Sequence, residues 1–198
     1  MLKRPLIILF LTFICFNVPG QRIEYRNDSL FVNDFYVNAQ TTKTKLDSLL
    51  KSVSKAKKSK SDIPKCDNPN KKVVRTTYFY YDLGLFFRKY DCDTSKLSVG
   101  IKLYNDSDGK YDKKKSELKN TYLGQLIIGG NLITGKREIQ ELEQMDNCKV
   151  TVSKLNFGSI STLIGGDIIY KKNFIRLSFD SKTSQLTNVY IHHNFQNE

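Results

Sequence analysis

The heptapeptide GNLITGK, residues 130 to 136, fits the phosphate-loop spacing G-x-x-x-x-G-K and stands between an expected strand and an expected helix. A phosphate loop next needs a Ser or Thr hydroxyl for Mg²⁺, and here Arg137 follows. Leu132 and Ile133 also read as the return strand of a hairpin, so no loop of amides is left to wrap a phosphate. YNDSDGKYD (104 to 112) has the Asp density of a calcium loop. Counting back from Gly109, however, puts Tyr104 at the first ligand position and Lys115 at the closing Glu position. His192 and His193 are neighbours on an expected strand and point to opposite faces. Neither GxSxG nor HExxH occurs. Cys148 has no base near it in sequence and reads as a structural thiol. Asp91 and Asp180 recur in the same local context as Thr94 and Thr183, and an acid pair across an axis of pseudo-symmetry is one reading. Turn chemistry is the simpler one: an Asp opening a polar turn accepts N–H bonds two or three residues on. No cofactor and no metal site is expected.

Charge and cysteines narrow the class. The 198-residue chain carries a formal +12, and lysine outnumbers arginine 25 to 7. Arginine is the better fork for phosphates and bases, and abundant Lys, Asn, Ile, Tyr and Phe are what AT-rich coding gives, so a nucleic-acid partner is not expected. Residues 1 to 20, with Lys3 and Arg4 before an apolar run from Pro5 to Phe16, read as a secretory signal peptide cleaved near Gly20. Its removal lowers the charge to +10. Twelve apolar residues are too few to cross about 30 Å of hydrocarbon, so no transmembrane segment is expected, and association with the envelope would be peripheral. A lipid anchor through Cys15 is not expected, because Ile14 stands where a small residue belongs. The expected place is secreted or periplasmic. There Cys66 and Cys92, on either side of one expected hairpin, are the candidate disulfide, with buried free thiols as the alternative.

The elements that position these residues read as one unit written twice. LFVNDFYV (30 to 37) and LIIGGNLI (126 to 133) each give a two-residue hairpin turn, at Asn33-Asp34 and Gly129-Gly130. A helix is expected after each: Leu46, Leu49, Leu50 and Val53 form one apolar stripe, and Ile139, Leu142 and Met145 form its counterpart. YDCDTSKLSVGIKLYN (90 to 105) aligns without gaps on FDSKTSQLTNVYIHHN (179 to 194). The expected fold is α+β, a tandem duplication of a strand-strand-helix-strand-strand-strand unit with one helix per unit on antiparallel sheets. The units run 21 to 105 and 122 to 198, with a polar linker over 106 to 121. The lysine-rich stretch 55 to 65 reads as a solvated surface insertion in the first unit.

TTYFYYDLGLFF (76 to 87) holds too many aromatics for one buried strand face. Alternation should leave some outward, covered by the other unit or the insertion, or free as a partner surface. On the second reading Tyr78, Tyr80, Tyr81, Asp82 and Leu83 are the candidate binding residues.

YYDLGLFF (80 to 87) and YLGQLIIGGNLI (122 to 133) resemble the two hairpins of an uncharacterised family of bacterial exported domains of unknown function, one of an aromatic-Asp-x-Leu-Gly-Ile type and the other an aromatic-x-Gly-x-Leu-x-Ile-Asn-Gly type. Gly129-Gly130 departs from the Asn-Gly of that pattern. The resemblance covers about residues 28 to 193. Helix followed by antiparallel strands is more loosely similar to small envelope lipoproteins and to secreted β-lactamase-inhibitor-type modules, which act by binding. The resemblance supplies no catalytic residues. The expectation is a non-enzymatic protein that binds another macromolecule, with a protein as the expected partner, as an inhibitor or immunity-type factor or in envelope assembly. Two other classes stand beside it: an exported hydrolase whose site converges only in space, for instance Asp180, His192 and Cys148, and a binder of anionic polymers through the lysines of 55 to 65.

Overall fold

Three pairs of turn residues each close a short hairpin. Asn27 with Asp28, Asn33 with Asp34, and Gly129 with Gly130 all hold positive φ, the backbone that lets a two-residue turn follow the twist of its strands. A computed structural model describes residues 21–61, 73–91, 93–104, 118, 120–137, 139–157, 161–170, 173–180 and 182–191. Along the chain it holds β1 (Arg22–Arg26), β2 (Ser29–Val32), β3 (Phe35–Val37), α1 (Lys43–Leu50), β4 (Lys55–Ser61), β5 (Val73–Tyr80), β6 (Leu85–Tyr90) and β7 (Asp93–Lys102). There follow β8 (Gln125–Ile128), β9 (Asn131–Ile133), α2 (Ile139–Glu143), β10 (Lys149–Phe157), β11 (Ser161–Tyr170), β12 (Asn173–Phe179) and β13 (Leu186–Ile191).

The strands form two sheets. The smaller has the order β3-β2-β1-β8-β9, the larger β10-β11-β12-β13-β7-β6-β5-β4. β1 runs parallel to β8, Arg22 to Tyr25 beside Gln125 to Ile128. The other pairs among the described residues are antiparallel. In the larger sheet two four-stranded meanders meet where residues 99–102 of β7 pair with 188–191 of β13. One apolar cluster joins the sheets. Ile23, Tyr25, Leu126 and Ile128 come from the smaller, Tyr80, Phe87, Ile101, Leu177 and Val189 from the larger, and Leu46, Leu50 and Leu142 from the helices. Tyr25 meets Tyr170 edge-on across this core, with ring centroids 6.1 Å apart.

The α+β expectation is corrected by this architecture: the described chain is mostly β, and its two helices are short. Lys55–Ser61, expected as a solvated insertion, is the edge strand β4, paired with β5 from Lys55 opposite Phe79 to Ser61 opposite Val73. An edge strand needs only one partner, so lysines can stay in water on both faces, where they also discourage pairing with foreign strands. β10 is a second strand beyond the expected set, paired with β11 from Lys149 to Phe157. Each meander therefore has four strands rather than three, and both sheets draw strands from 21 to 105 and from 122 to 198.

Helix α1 starts where Thr42 accepts a bond from the Lys45 N–H at 3.2 Å. It stops at Leu50, so Val53, expected on its apolar stripe, is 81% exposed. The stop is made by Lys51, which holds φ 48° and ψ 39° while its N–H bonds back to the carbonyls of Asp47 and Ser48. Glycine occupies such left-handed C-terminal positions without steric cost. Lys51→Gly is therefore expected to raise unfolding stability by about 1 kcal/mol, read as a higher denaturant midpoint at unchanged slope. No helix among the described residues is long and apolar enough to cross a membrane.

Candidate interaction site

The aromatic hairpin β5–β6 is mostly packing. Tyr78 and Tyr80 turn inward and are buried, and Leu83 packs against the same core. The Tyr80 hydroxyl donates to Asp47 Oδ1 at 2.8 Å. The same carboxylate accepts from the Ser54 N–H and hydroxyl and from the Lys43 ammonium. Burial works to raise the Asp47 carboxyl, and these bonds outweigh it, holding the group below the usual carboxylate range. Burial drives the Tyr80 phenol upward, so it stays a neutral donor.

Alternate residues of the hairpin face the other side of the large sheet. Phe79 and Phe86 are covered there by Leu118, with Tyr81 and Tyr190 packed alongside. Tyr81 stacks on Phe79 at 5.4 Å, and the Lys57 ammonium lies 5.0 Å from the Phe79 ring centre. Asp82 is the exposed member of the expected set, and both its carboxylate oxygens accept from the Ser52 hydroxyl, at 2.9 and 2.8 Å. The hairpin tip is thus pinned to the end of α1, and its aromatic side chains do not form an open surface.

The other expectations resolve individually. In GNLITGK, Gly130 ends a hairpin turn and Asn131–Ile133 is β9, a return strand as the sequence implied. Asp180 takes the N–H groups of Lys182 and Thr183, each at 2.8 Å, which is turn chemistry. Asp91 instead accepts the Val74 N–H across the hairpin at 3.0 Å. The Cys148 thiol is half-buried and pushed up by burial, the wrong direction for a nucleophile. Cys66, Cys92, His192, His193, residues 1 to 20 and most of the calcium-like stretch lie outside the described residues. Among the described residues no cluster of three His, Cys, Asp or Glu is placed to hold a metal.

A surface the sequence reading missed lies on the outer side of the five-stranded sheet. In β1, RIEYR alternates strictly: Ile23 and Tyr25 enter the core, and Arg22, Glu24 and Arg26 face away from it. The registers carry the Glu24 position across all five strands. Tyr36 lies opposite Phe31, Phe31 opposite Glu24, Glu24 beside Ile127, and Ile127 opposite Leu132. The result is one row, Tyr36–Phe31–Glu24–Ile127–Leu132. Its two ends are open, Tyr36 57% and Leu132 44% exposed.

The centre of the row is fixed by charge. Glu24 is 6% exposed. Its carboxylate is gripped by Arg22 at 2.8 Å and by Arg26 at 3.7 Å, and Arg22 also reaches Asp34 at 3.3 Å. A carboxylate this buried requires such pairing. The Arg26 guanidinium lies 4.5 Å from the centre of the Phe31 ring, and Phe31 meets Tyr36 edge-on at 6.0 Å. Beyond Leu132 the row runs into an open groove of about 530 Å³ between β9 and α2, lined by Asn131, Thr134, Arg137, Glu141, Gln144 and Met145 among others. An apolar strip of aromatic and aliphatic side chains, rigidified by an Arg–Glu–Arg triad and ending in a polar trough, is suited to holding another protein chain.

A family model described as "Domain of unknown function (DUF7738)" matches residues 22–143. The match begins at the first residue of β1 and ends at the last of α2, so it takes in every strand of the row and the helix bordering the groove. No curated protein and no solved structure matches the chain.

Proposed function

The chain belongs to the DUF7738 family of domains of unknown function, and we propose that it is an exported, non-catalytic protein that binds another protein through the outer face of its five-stranded sheet. One observation carries this: five strands, two of them about a hundred residues further along the chain, align Tyr36, Phe31, Ile127 and Leu132 in a single row across that face. Isolated exposed apolar residues are ordinary on a protein surface, whereas apolar residues aligned on four strands to either side of one paired, buried carboxylate are not. Tyr and Arg, the residue types at its end and flanks, are those that dominate protein interfaces. Each guanidinium has five N–H donors, more than Glu24 and Asp34 occupy, so Arg22 and Arg26 favour a partner with carbonyl or carboxylate acceptors beside its own apolar strip.

Residues 1 to 20 supply the export signal in this reading, and the place is the periplasm or outside a bacterial cell. The role is that of an inhibitor or immunity-type factor or of an envelope-assembly module, in line with the loose likeness to β-lactamase-inhibitor-type modules. The two units, 21 to 105 and 122 to 198, are read as copies of one ancestor, with support from the two four-stranded meanders, β4 to β7 and β10 to β13, that meet through their last strands. The test is a photo-reactive phenylalanine analogue placed at Tyr36 or Leu132, with Val53 as control, in the full chain exposed to the native envelope fraction. The same heavier species at positions 36 and 132, absent at 53, is expected. No species at either position, one equally strong at 53, or one with the mass of two copies of this chain would contradict it.

A further inference from the structure

The edge strand β4 reads Lys-Ala-Lys-Lys-Ser-Lys over residues 55 to 60, and every one of these residues is exposed. A strand sends successive side chains to opposite faces. Lys55 and Lys57 therefore share the face of Phe79, Thr77 and Arg88, while Lys58 and Lys60 share the face of Thr76 and Lys89. On each face the paired lysines stand about 7 Å apart, two strand residues. Among the described residues no ion pair holds Lys55, Lys58 or Lys60, and Arg75 and Arg88 extend the basic region into β5 and β6. Among the described residues β4 is the last strand of its sheet, so alternate backbone N–H and C=O groups point away from β5.

We propose that β4 is a docking edge for an extended, acidic segment of a partner protein, which adds to the eight-stranded sheet as a further strand. This deepens the protein-binding reading above but uses a different surface. The placement of charge selects the occupant. An added strand sends its own side chains to both faces at the same spacing, so carboxylates opposite 55, 57, 58 and 60 meet a lysine on either face. A polyanionic glycan or a nucleic acid has no strand backbone for the free edge and would lie on one face, where only two of the four lysines point. The basic-small-basic-basic-small-basic pattern also reads alike in both directions, so it serves a parallel or an antiparallel strand. The same lysines that repel a second copy of β4 attract an acidic strand, which is selection by charge against the wrong partner.

The probe is a fluorescein-labelled peptide containing Glu-Thr-Glu-Glu-Thr-Glu, titrated into the full chain at low salt and read by fluorescence anisotropy. Saturable binding is expected, with slowed hydrogen exchange at the amides of β4. N-methylation of alternate peptide nitrogens should weaken it by about tenfold or more, since each lost strand bond is significant in a short ladder. Lys58→Glu with Lys60→Glu should weaken it similarly, and reversing all four lysines should transfer the preference to a lysine version of the peptide. Lys→Ser variants of the same four positions keep the test intact if charge reversal disturbs folding. No binding, an N-methylated peptide that binds equally well, or a heparin fragment that binds the chain more tightly than the peptide would overturn the proposal. None of these outcomes touches the cross-linking at 36 and 132, so the two sites fail or stand separately.

Discussion

Replacing Asp47 by Ala is expected to lower the unfolding free energy by about 3 kcal/mol, more than an ordinary change on a helix surface. The carboxylate is the common acceptor for the Tyr80 hydroxyl, the Ser54 N–H and hydroxyl, and the Lys43 ammonium. Tyr80 and Ser54 are buried, so their donors cannot turn to water when the acceptor is gone. Asp47→Asn keeps an acceptor oxygen and loses the charge, and about 1 kcal/mol is expected. The two variants also differ from the parent in acid. A carboxyl held low in the folded state contributes stability that is complete above its unfolded value of about 3.9 and disappears as pH falls through the lower folded value. Both variants should therefore show a shallower loss of stability below about pH 4, measured as urea midpoints against pH. A parallel acid limb in Asp47→Asn would assign the acid sensitivity to other carboxylates.

The second large effect is expected at Gly84, where even Ala should cost on the order of 3 kcal/mol. Gly84 holds φ +68°, and a Cβ built there would lie 2.4 Å from the Asn120 carbonyl oxygen, 2.7 Å from the Thr121 carbonyl carbon and 2.8 Å from the Tyr122 nitrogen. All three are backbone atoms and cannot swing aside. The displaced segment leads into β8 and is otherwise fixed by the Tyr122 N–H on the Lys102 carbonyl and the Tyr122 hydroxyl on the Gln21 carbonyl, both at 2.7 Å. Gly130 is the control. It has φ +90°, and a methyl group added there would meet nothing within 4 Å, so Gly130→Ala carries the conformational cost alone, about 1 kcal/mol. Equal losses at the two positions would show that the contact with 120 to 122 is unimportant.

What was legible in the sequence was local. Asn33-Asp34 and Gly129-Gly130 announced hairpins because few residue pairs accept positive φ twice, and Leu46, Leu49 and Leu50 announced α1 by their spacing. The stripe overran to Val53 because a left-handed lysine gives no stop signal of the kind glycine gives. β4 was missed because edge strands do not need apolar alternation. The aromatics of β5–β6 do divide between two faces, as alternation required, but which segment covers the outer set depends on Leu118, over thirty residues downstream. The candidate site was illegible for the same reason. Arg22, Glu24 and Arg26 mark a strand with a charged face, a signal present in RIEYR, yet the row exists only because β1 takes β8 as a parallel neighbour across about a hundred residues of chain. No periodicity reports such a pairing.

The most direct measurement is calorimetric titration of the partner identified by cross-linking against the full chain and three variants, Phe31→Glu, Ile127→Glu and Val53→Glu, each checked for an unchanged circular dichroism spectrum. If the row is the binding surface, a charge in β2 and a charge in β8 should each weaken the complex by tenfold or more, about 1.4 kcal/mol, while Val53→Glu binds as the parent does. Undiminished binding by both Phe31→Glu and Ile127→Glu would contradict the account.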